Sequence, residues 1–329
     1  MPAPPKVPLV LLPTPIHRLD RLSEELGIDL WIKRDDMTGF ALGGNKGRKL
    51  EYLMADVLAK GSTAVVACGA VQSNFIRQLG AACAMHGIRC AAAVMDRPYY
   101  AAAGKPEKAA IGPRNANVRI DELLGVELHH AEDGDWQSLY DVQDGIIRRL
   151  DTEGHHVYKM PIGGSSVFGA WAFVQAGIEA ASQRPEINYL VTSSSSGSTH
   201  TGLTWHFAGT STTVIGISAD PDPEFELVDD MVELAEGVDQ YAECPKALTK
   251  DDFDLRIDWV GEGYGVPSDK GMRAIEKLAR SEGILLDPVY SGKAFAGLLD
   301  LAAQGEISGR VLFWHTGGIP ALFASECPN

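Results

Sequence analysis

The chain has 329 residues, 45% of them hydrophobic, with 29 basic against 44 acidic side chains and a net charge of −15. That length suggests about two domains and ample room for a core. So negative a surface repels nucleic acid and anionic membranes, and no run of about 18 uncharged apolar residues is present to span a bilayer.

The opening stretch MPAPPKVPLVLLPTP carries one lysine, a short apolar patch and several prolines. It lacks the charged-then-apolar layout of a signal peptide, which points to a cytoplasmic protein. Next, GGNKGRKLEYL (43–53) reads as a glycine turn entering a helix, with Lys46 at the helix mouth. A lysine there sits in positive dipole potential, which lowers its pKa and favours the free amine that a Schiff-base lysine needs. The plainer alternative is a basic helix start touching solvent, with Lys49 as a structural cation one turn on.

STAVVACGA, QSNFIRQLGAACAMHG and IRCAAAVM then read as strand, helix, strand. Gln72, Ser73 and Asn74 stand where that helix begins. They suit a substrate carboxylate and equally suit a helix cap. The stretch from Asp96 to Ala116 has no clear periodicity and reads as a long irregular connection of the kind that forms lids and binding loops.

A second strand–helix–strand unit runs through NYLVTSS, THTGLTWHFAG and TTVIGISA. Between its first two parts lies SSSSGSTHTG (193–202), where small residues let backbone N–H groups converge and the following helix adds its dipole. The spacing matches neither GxxxxGK[ST] nor GxGxxG, so this cradle suits a phosphate monoester rather than a nucleotide. The acidic stretch 219–253 is expected to form a solvated helix pair. Tyr264 and Tyr290 lie in glycine turns, either against a ligand or in the core. RVLFWHTGG adds a last strand and glycine turn.

This alternation predicts an α/β fold with parallel sheet. The five cysteines form no close pair, and Cys68, Cys83 and Cys90 lie in apolar stretches where cysteine packs as a small hydrophobe. No HExxH or CxxC spacing indicates a metal site. No GxSxG elbow supports a serine hydrolase.

Taken together, LPTPIHRL, WIKRDDMTG, GGNKGRKLEYL, CGAVQSN, MPIGGSS, SSGSTHTGL, GYGVPSDKGM, EGILLDPVYSGKAFAGL and FWHTGGIPALF run in order from residue 12 to residue 323. This set resembles the fold-type II pyridoxal-phosphate family that holds D-cysteine desulfhydrase and 1-aminocyclopropane-1-carboxylate deaminase; residues 96–135 and 219–258 match poorly. The resemblance implies two open, twisted α/β domains like the tryptophan synthase β chain, with pyridoxal 5′-phosphate in the cleft. Residues 1–49 and 158–329 would form the larger domain and 50–157 the smaller. It further implies a homodimer acting on a small amino acid.

Position by position, the resemblance makes Lys46 the lysine that carries the cofactor and moves the Cα proton. Ser73 would help hold the substrate carboxylate or assist proton transfer, with Gln72 and Asn74 beside it, and Asn74 near the cofactor's 3′-oxygen. Ser196, Gly197, Ser198 and Thr199 would cradle the phosphate, and Tyr264 and Tyr290 would be the active-site tyrosines. Deaminases of the family carry glutamate after the DPVY tyrosine and leucine after the late histidine. This chain has Ser291 and Thr316, the desulfhydrase-like pair. A hydroxyl partner leaves the pyridine nitrogen neutral and disfavours a long-lived carbanion, so β-elimination is the expected reaction.

Two departures stand out. Phe75 replaces the polar residue usual after QSN, which makes that wall more apolar. The divergent loop carries Arg97, Lys105, Lys108 and Arg114, which are either solvated or receive a second anionic group, as in the related L-cysteate sulfo-lyase. A non-catalytic binder of the cofactor or of amino acids is the reading from another class. Lys46 together with both tyrosines argues against it, because a binder needs no base.

Overall fold

The computed structural model describes residues 2–96, 115–184, 186–221 and 226–324. The strands are β1 (Ile16–Arg18), β2 (Asp29–Arg34), β3 (Ala64–Ala70), β4 (Arg89–Met95), β5 (Glu127–His130), β6 (Val157–Lys159), β7 (Tyr189–Ser194), β8 (Thr213–Ser218), β9 (Asp254–Arg256) and β10 (Arg310–His315). The α-helices are α1 (Asp20–Leu26), α2 (Lys46–Ala59), α3 (Asn74–His86), α4 (Ala116–Leu123), α5 (Trp136–Thr152), α6 (Val167–Gln183), α7 (Ser198–Phe207), α8 (Glu226–Asp239), α9 (Asp269–Glu282) and α10 (Ser291–Ala303).

Two sheets result. One has four parallel strands in the order β5-β4-β3-β6; the other has six in the order β1-β2-β10-β7-β8-β9, parallel apart from β1. Parallel sheets need both faces covered, so their strands read as continuous apolar runs. β3 shows why. Val65 and Ala67 pack with Leu53, Ile76 and Leu79 of α2 and α3, while Ala64, Val66 and Cys68 pack with Leu139 and Ile146 of α5. In the larger sheet Leu312 and Trp314 of β10 face one core, and Val311 and Phe313 the other. The α/β expectation holds.

The start of α2 is anchored to the larger sheet by buried charge. Arg48 donates to Asp35 (2.8 and 2.9 Å) and to Glu179 (2.9 and 3.0 Å), and Trp314 Nε1 donates to Asp35 (2.9 Å). Burial alone would raise the Glu179 carboxyl, but Arg48 and Lys33 outweigh it and hold the group at about 2.

The stretch expected to be a solvated helix pair is different. Among its described residues it forms one α-helix, α8, and a 3-10 turn at Lys250–Asp252, with Val228, Met231, Ala235 and Val238 of α8 buried. Those spacings make a single apolar stripe, which packs on α6 and α7. After it the chain is tied back: Asp239 accepts from the N–H of Lys246 (2.9 Å), the N–H of Ala247 (3.0 Å) and Trp205 Nε1 (2.7 Å). The loop residues Arg97, Lys105, Lys108 and Arg114 lie outside the described residues. Among the described residues no helix is long and apolar enough to cross a membrane.

Candidate active site

A cavity of about 1050 Å³ lies between the sheets, where β3, β7 and β10 end. Carboxyl ends of parallel strands are where α/β folds place ligands, because successive turns diverge there. Lys46, Ser73, Asn74, Ser196, Gly197, Thr199, Tyr264, Tyr290 and Thr316 all line it. Gln72, Ser198 and Ser291 do not.

Two glycine turns in contact set the position of Lys46. A Cβ on Gly317 would lie 2.5 Å from Gly44 Cα, so only glycine lets these backbones touch. The Asn45 N–H then donates to Thr316 O (2.9 Å), and Gln78 Nε2 holds Gly43 O (2.6 Å). Burial lowers the Lys46 amine to about 8, partly offset by a hydrogen bond with Lys49 and by the attraction of Asp220. The sequence alone points to the helix dipole, whereas burial is the largest cause. Lys49, read there as a structural cation, is buried on the cavity wall, and burial and Lys46 hold it well below its ordinary range.

Opposite lies the serine turn. Gly197 has φ +82 and opens α7 without a side-chain cap. The first N–H groups of a helix have no intrahelical acceptors, and Ser196, Gly197 and Thr199 border the cavity. Asn45 Nδ2 donates to Thr199 Oγ1 (3.1 Å), tying this turn to the lysine turn. The Ser198 hydroxyl faces α6 instead: it lies 3.1 Å from where a Cβ on Gly169 would be, buried and without a partner among the described residues. A Cβ on Gly163 would meet Ser196 Oγ at 2.8 Å and Lys46 Nζ at 3.8 Å, so one backbone position borders both the amine and the anion cradle. An open helix N-terminus across from a lysine near neutrality suits a phosphorylated aldehyde, the chemistry of pyridoxal 5′-phosphate.

Ser73 Oγ accepts from the N–H groups of Phe75 (3.2 Å) and Ile76 (3.3 Å), so it caps α3 while lining the cavity. Phe75 lines it too, an apolar wall as expected. Gln72 was expected at the substrate. Its side chain instead accepts from the Asn117 N–H (3.0 Å) and donates to Asn115 O (3.1 Å). The hydroxyls of Tyr264 and Tyr290 hydrogen-bond each other, with rings edge to face at 5.8 Å. Burial, then Tyr264, pushes the Tyr290 phenol well above its usual range.

The pair Ser291 and Thr316 divides. Ser291 Oγ donates to Asp287 Oδ1 and accepts from the Asp287 N–H (2.8 Å). Asp287 also accepts from the N–H groups of Val289 (2.9 Å), Tyr290 (2.8 Å) and Ser291 (2.8 Å). The serine is thus part of the turn that presents Tyr290. Thr316 faces the cavity, its hydroxyl 3.0 Å from that of Ser193.

Sequence reasoning missed part of the wall. Glu226, Asp230 and Glu233 of α8, with Asp220, line the cavity, as do Trp136 and Tyr140 of α5. The acidic i, i+4, i+7 spacing was visible, but the same pattern serves a helix face turned to bulk water.

The family described as "Pyridoxal-phosphate dependent enzyme" matches residues 7–317. D-cysteine desulfhydrase of Klebsiella pneumoniae (strain 342) is 38% identical to this chain, over 97% of the chain and 96% of the relative. D-cysteine desulfhydrase of Serratia proteamaculans (strain 568) is likewise 38% identical, with the same coverage. A crystal structure described as an ACC deaminase homologue superposes with a TM-score of 0.86 and 32% identity, covering 96% of this chain and 93% of that one.

Proposed function

The chain belongs to the pyridoxal-phosphate dependent enzyme family, and from that premise we propose that it is a carbon–sulfur lyase acting on D-cysteine. D-cysteine and water give pyruvate, ammonia and hydrogen sulfide. The observation that carries the reading is Lys46 facing the open N-terminus of α7 across one cavity.

Bound pyridoxal phosphate supplies an electron sink for the pair left at Cα when its proton departs. The backbone from Ser196 to Thr199 would hold the phosphate, and Lys46 the aldehyde carbon. Lys46 Nζ would also take the Cα proton, a task suited to a group at about 8. The Ser73 hydroxyl accepts the α3 N–H groups and keeps its own proton to donate to the substrate carboxylate. The Tyr264–Tyr290 pair places two phenolic hydroxyls at the cavity wall, where they can hydrogen-bond the leaving sulfur. Thr316, paired with Ser193, offers the pyridine nitrogen a neutral hydroxyl. Expulsion of a good leaving group then competes well against longer-lived carbanion chemistry.

The wall of Asp220, Glu226, Asp230 and Glu233 supports a thiol substrate over a sulfonate, because a second negative charge entering there is repelled. We also take residues 50–157 as the smaller domain, and the protein as a cytoplasmic homodimer. The four-stranded sheet within 64–159 supports the first of these.

A substrate panel tests the reading. Pyruvate from D-cysteine should exceed pyruvate from L-cysteate and oxobutyrate from 1-aminocyclopropane-1-carboxylate. Faster ring opening than elimination would overturn it in favour of a deaminase.

A further inference from the structure

An asparagine amide has two opposite ends, a donor nitrogen and an acceptor oxygen. Which end of Asn74 faces the cavity decides what that wall can stabilise. The hydrogen bonds around Asn117, a fully buried residue at the start of α4, answer this from the backbone outward. Asn117 Nδ2 donates to the backbone oxygen of Gln72 (2.8 Å) and to Asn74 Oδ1 (2.9 Å). A backbone carbonyl only accepts, so Asn117 must turn its NH₂ group toward Gln72. The second proton of that group goes to Asn74, which must offer its oxygen. Asn74 Nδ2 is thereby left for the cavity, and no described residue accepts from it. Gln72 Oε1 fixes Asn117 from its other side by accepting its N–H (3.0 Å).

We propose that Asn117 is a positioning residue, which orients the Asn74 amide so that its N–H donates into the cavity to the phenolate oxygen of the cofactor. The inference rests on the cofactor reading above. Gln72, expected at the substrate, belongs to the same device as the clamp on Asn117. Asn74 touches the ligand; Asn117 and Gln72 act through it.

The test uses the holoenzyme and the visible absorption band of the Lys46-linked cofactor, titrated with pH. A donor on the phenolate stabilises the form without the imine proton. Losing a hydrogen bond to a charged group should therefore raise the titration midpoint by about one pH unit. Asn117→Ala and Asn74→Ala should each produce that rise, and the double variant no more than either alone. Asn117→Asp, of the same size, should raise it at least as far, because the carboxylate draws Asn74 Nδ2 to itself and leaves oxygen toward the ring. An unchanged midpoint in Asn117→Ala beside a raised one in Asn74→Ala would overturn the proposal. So would additive shifts, or a loss of melting temperature and cofactor content with no movement of the midpoint. A parent protein with no visible band would instead contradict the cofactor reading itself.

Discussion

Two of the helices that start at the cavity wall, α3 and α7, begin in opposite ways. α3, leaving the four-stranded sheet, is closed by its own Ser73 hydroxyl, which accepts from two backbone N–H groups. α7, leaving the six-stranded sheet, starts at a glycine with positive φ and has no side-chain cap. Both are strand-to-helix turns rich in small polar residues, and both carry the dipole that attracts anions. What separates them is who satisfies the free N–H groups: the fold itself at α3, a ligand at α7. An exposed helix start without a cap costs about 1 kcal/mol, and a bound phosphate repays that where a serine does not.

The comparison breaks first at Lys46, which faces the open end. Lys46→Ala should lower pyruvate formation from D-cysteine by at least about 100-fold, the lower range for losing a general base, with the fold intact by circular dichroism. Residual activity near the parent level would separate the lysine from the chemistry.

Gly197→Val comes next. The added Cβ points not into the cradle but toward α8, 3.0 Å from Met231 Cγ and 3.4 Å from Leu227 Cδ1, at a φ of +82 that branched residues avoid. The turn must shift, and strain of about 1–3 kcal/mol should weaken cofactor retention on dialysis by about tenfold or more. Unchanged retention would mean that α7 does not hold the phosphate.

Ser73→Ala sharpens the contrast from the other side. α3 should lose about 1 kcal/mol of stability with its cap, read as a lower denaturant midpoint, while cofactor affinity stays within about twofold, well under the tenfold that 1.4 kcal/mol represents. Equal loss of cofactor from the Ser73 and Gly197 variants would erase the distinction between the two helix starts.

A last expectation concerns pH and leaves the sequence intact. Burial holds Lys46 at about 8, so its amine is neutral above that value and protonated below it. Since only the neutral amine attacks an aldehyde, uptake of pyridoxal phosphate by the apoprotein should level off above that point. It should fall about tenfold per pH unit below it, as the neutral fraction does. A flat profile down to acidic pH would show an amine that does not titrate where burial places it.

Much of this was legible in advance because it depends on local pattern. The glycine turn before Lys46, the serine turn before α7 and the apolar runs of β3, β7 and β10 each imply their own geometry. What escaped depends on the direction a side chain takes once the fold is complete. Nothing in DPVYSGK says that the Ser291 hydroxyl turns back on Asp287; that follows from the turn before α10, where Asp287 accepts from the N–H groups of Val289, Tyr290 and Ser291 and so draws its carboxylate onto the serine. The acidic face of α8 reads the same whether it meets water or a cavity. The role of Gln72 becomes visible only through Asn117, a partner 45 positions away in the sequence.

Lys46 is singled out from the other buried lysines, of which Lys33 is ion-paired with Glu179. Lys293, like Lys46, is lowered by burial to about 8, but its Nζ donates to Gly263 O (2.8 Å) and does not line the cavity. Lys49 does line the cavity, beside Lys46. Borohydride reduction of the holoenzyme followed by peptide mapping distinguishes them. The pyridoxyl label should sit on Lys46 alone, and a label on Lys49 or Lys293 would contradict the account.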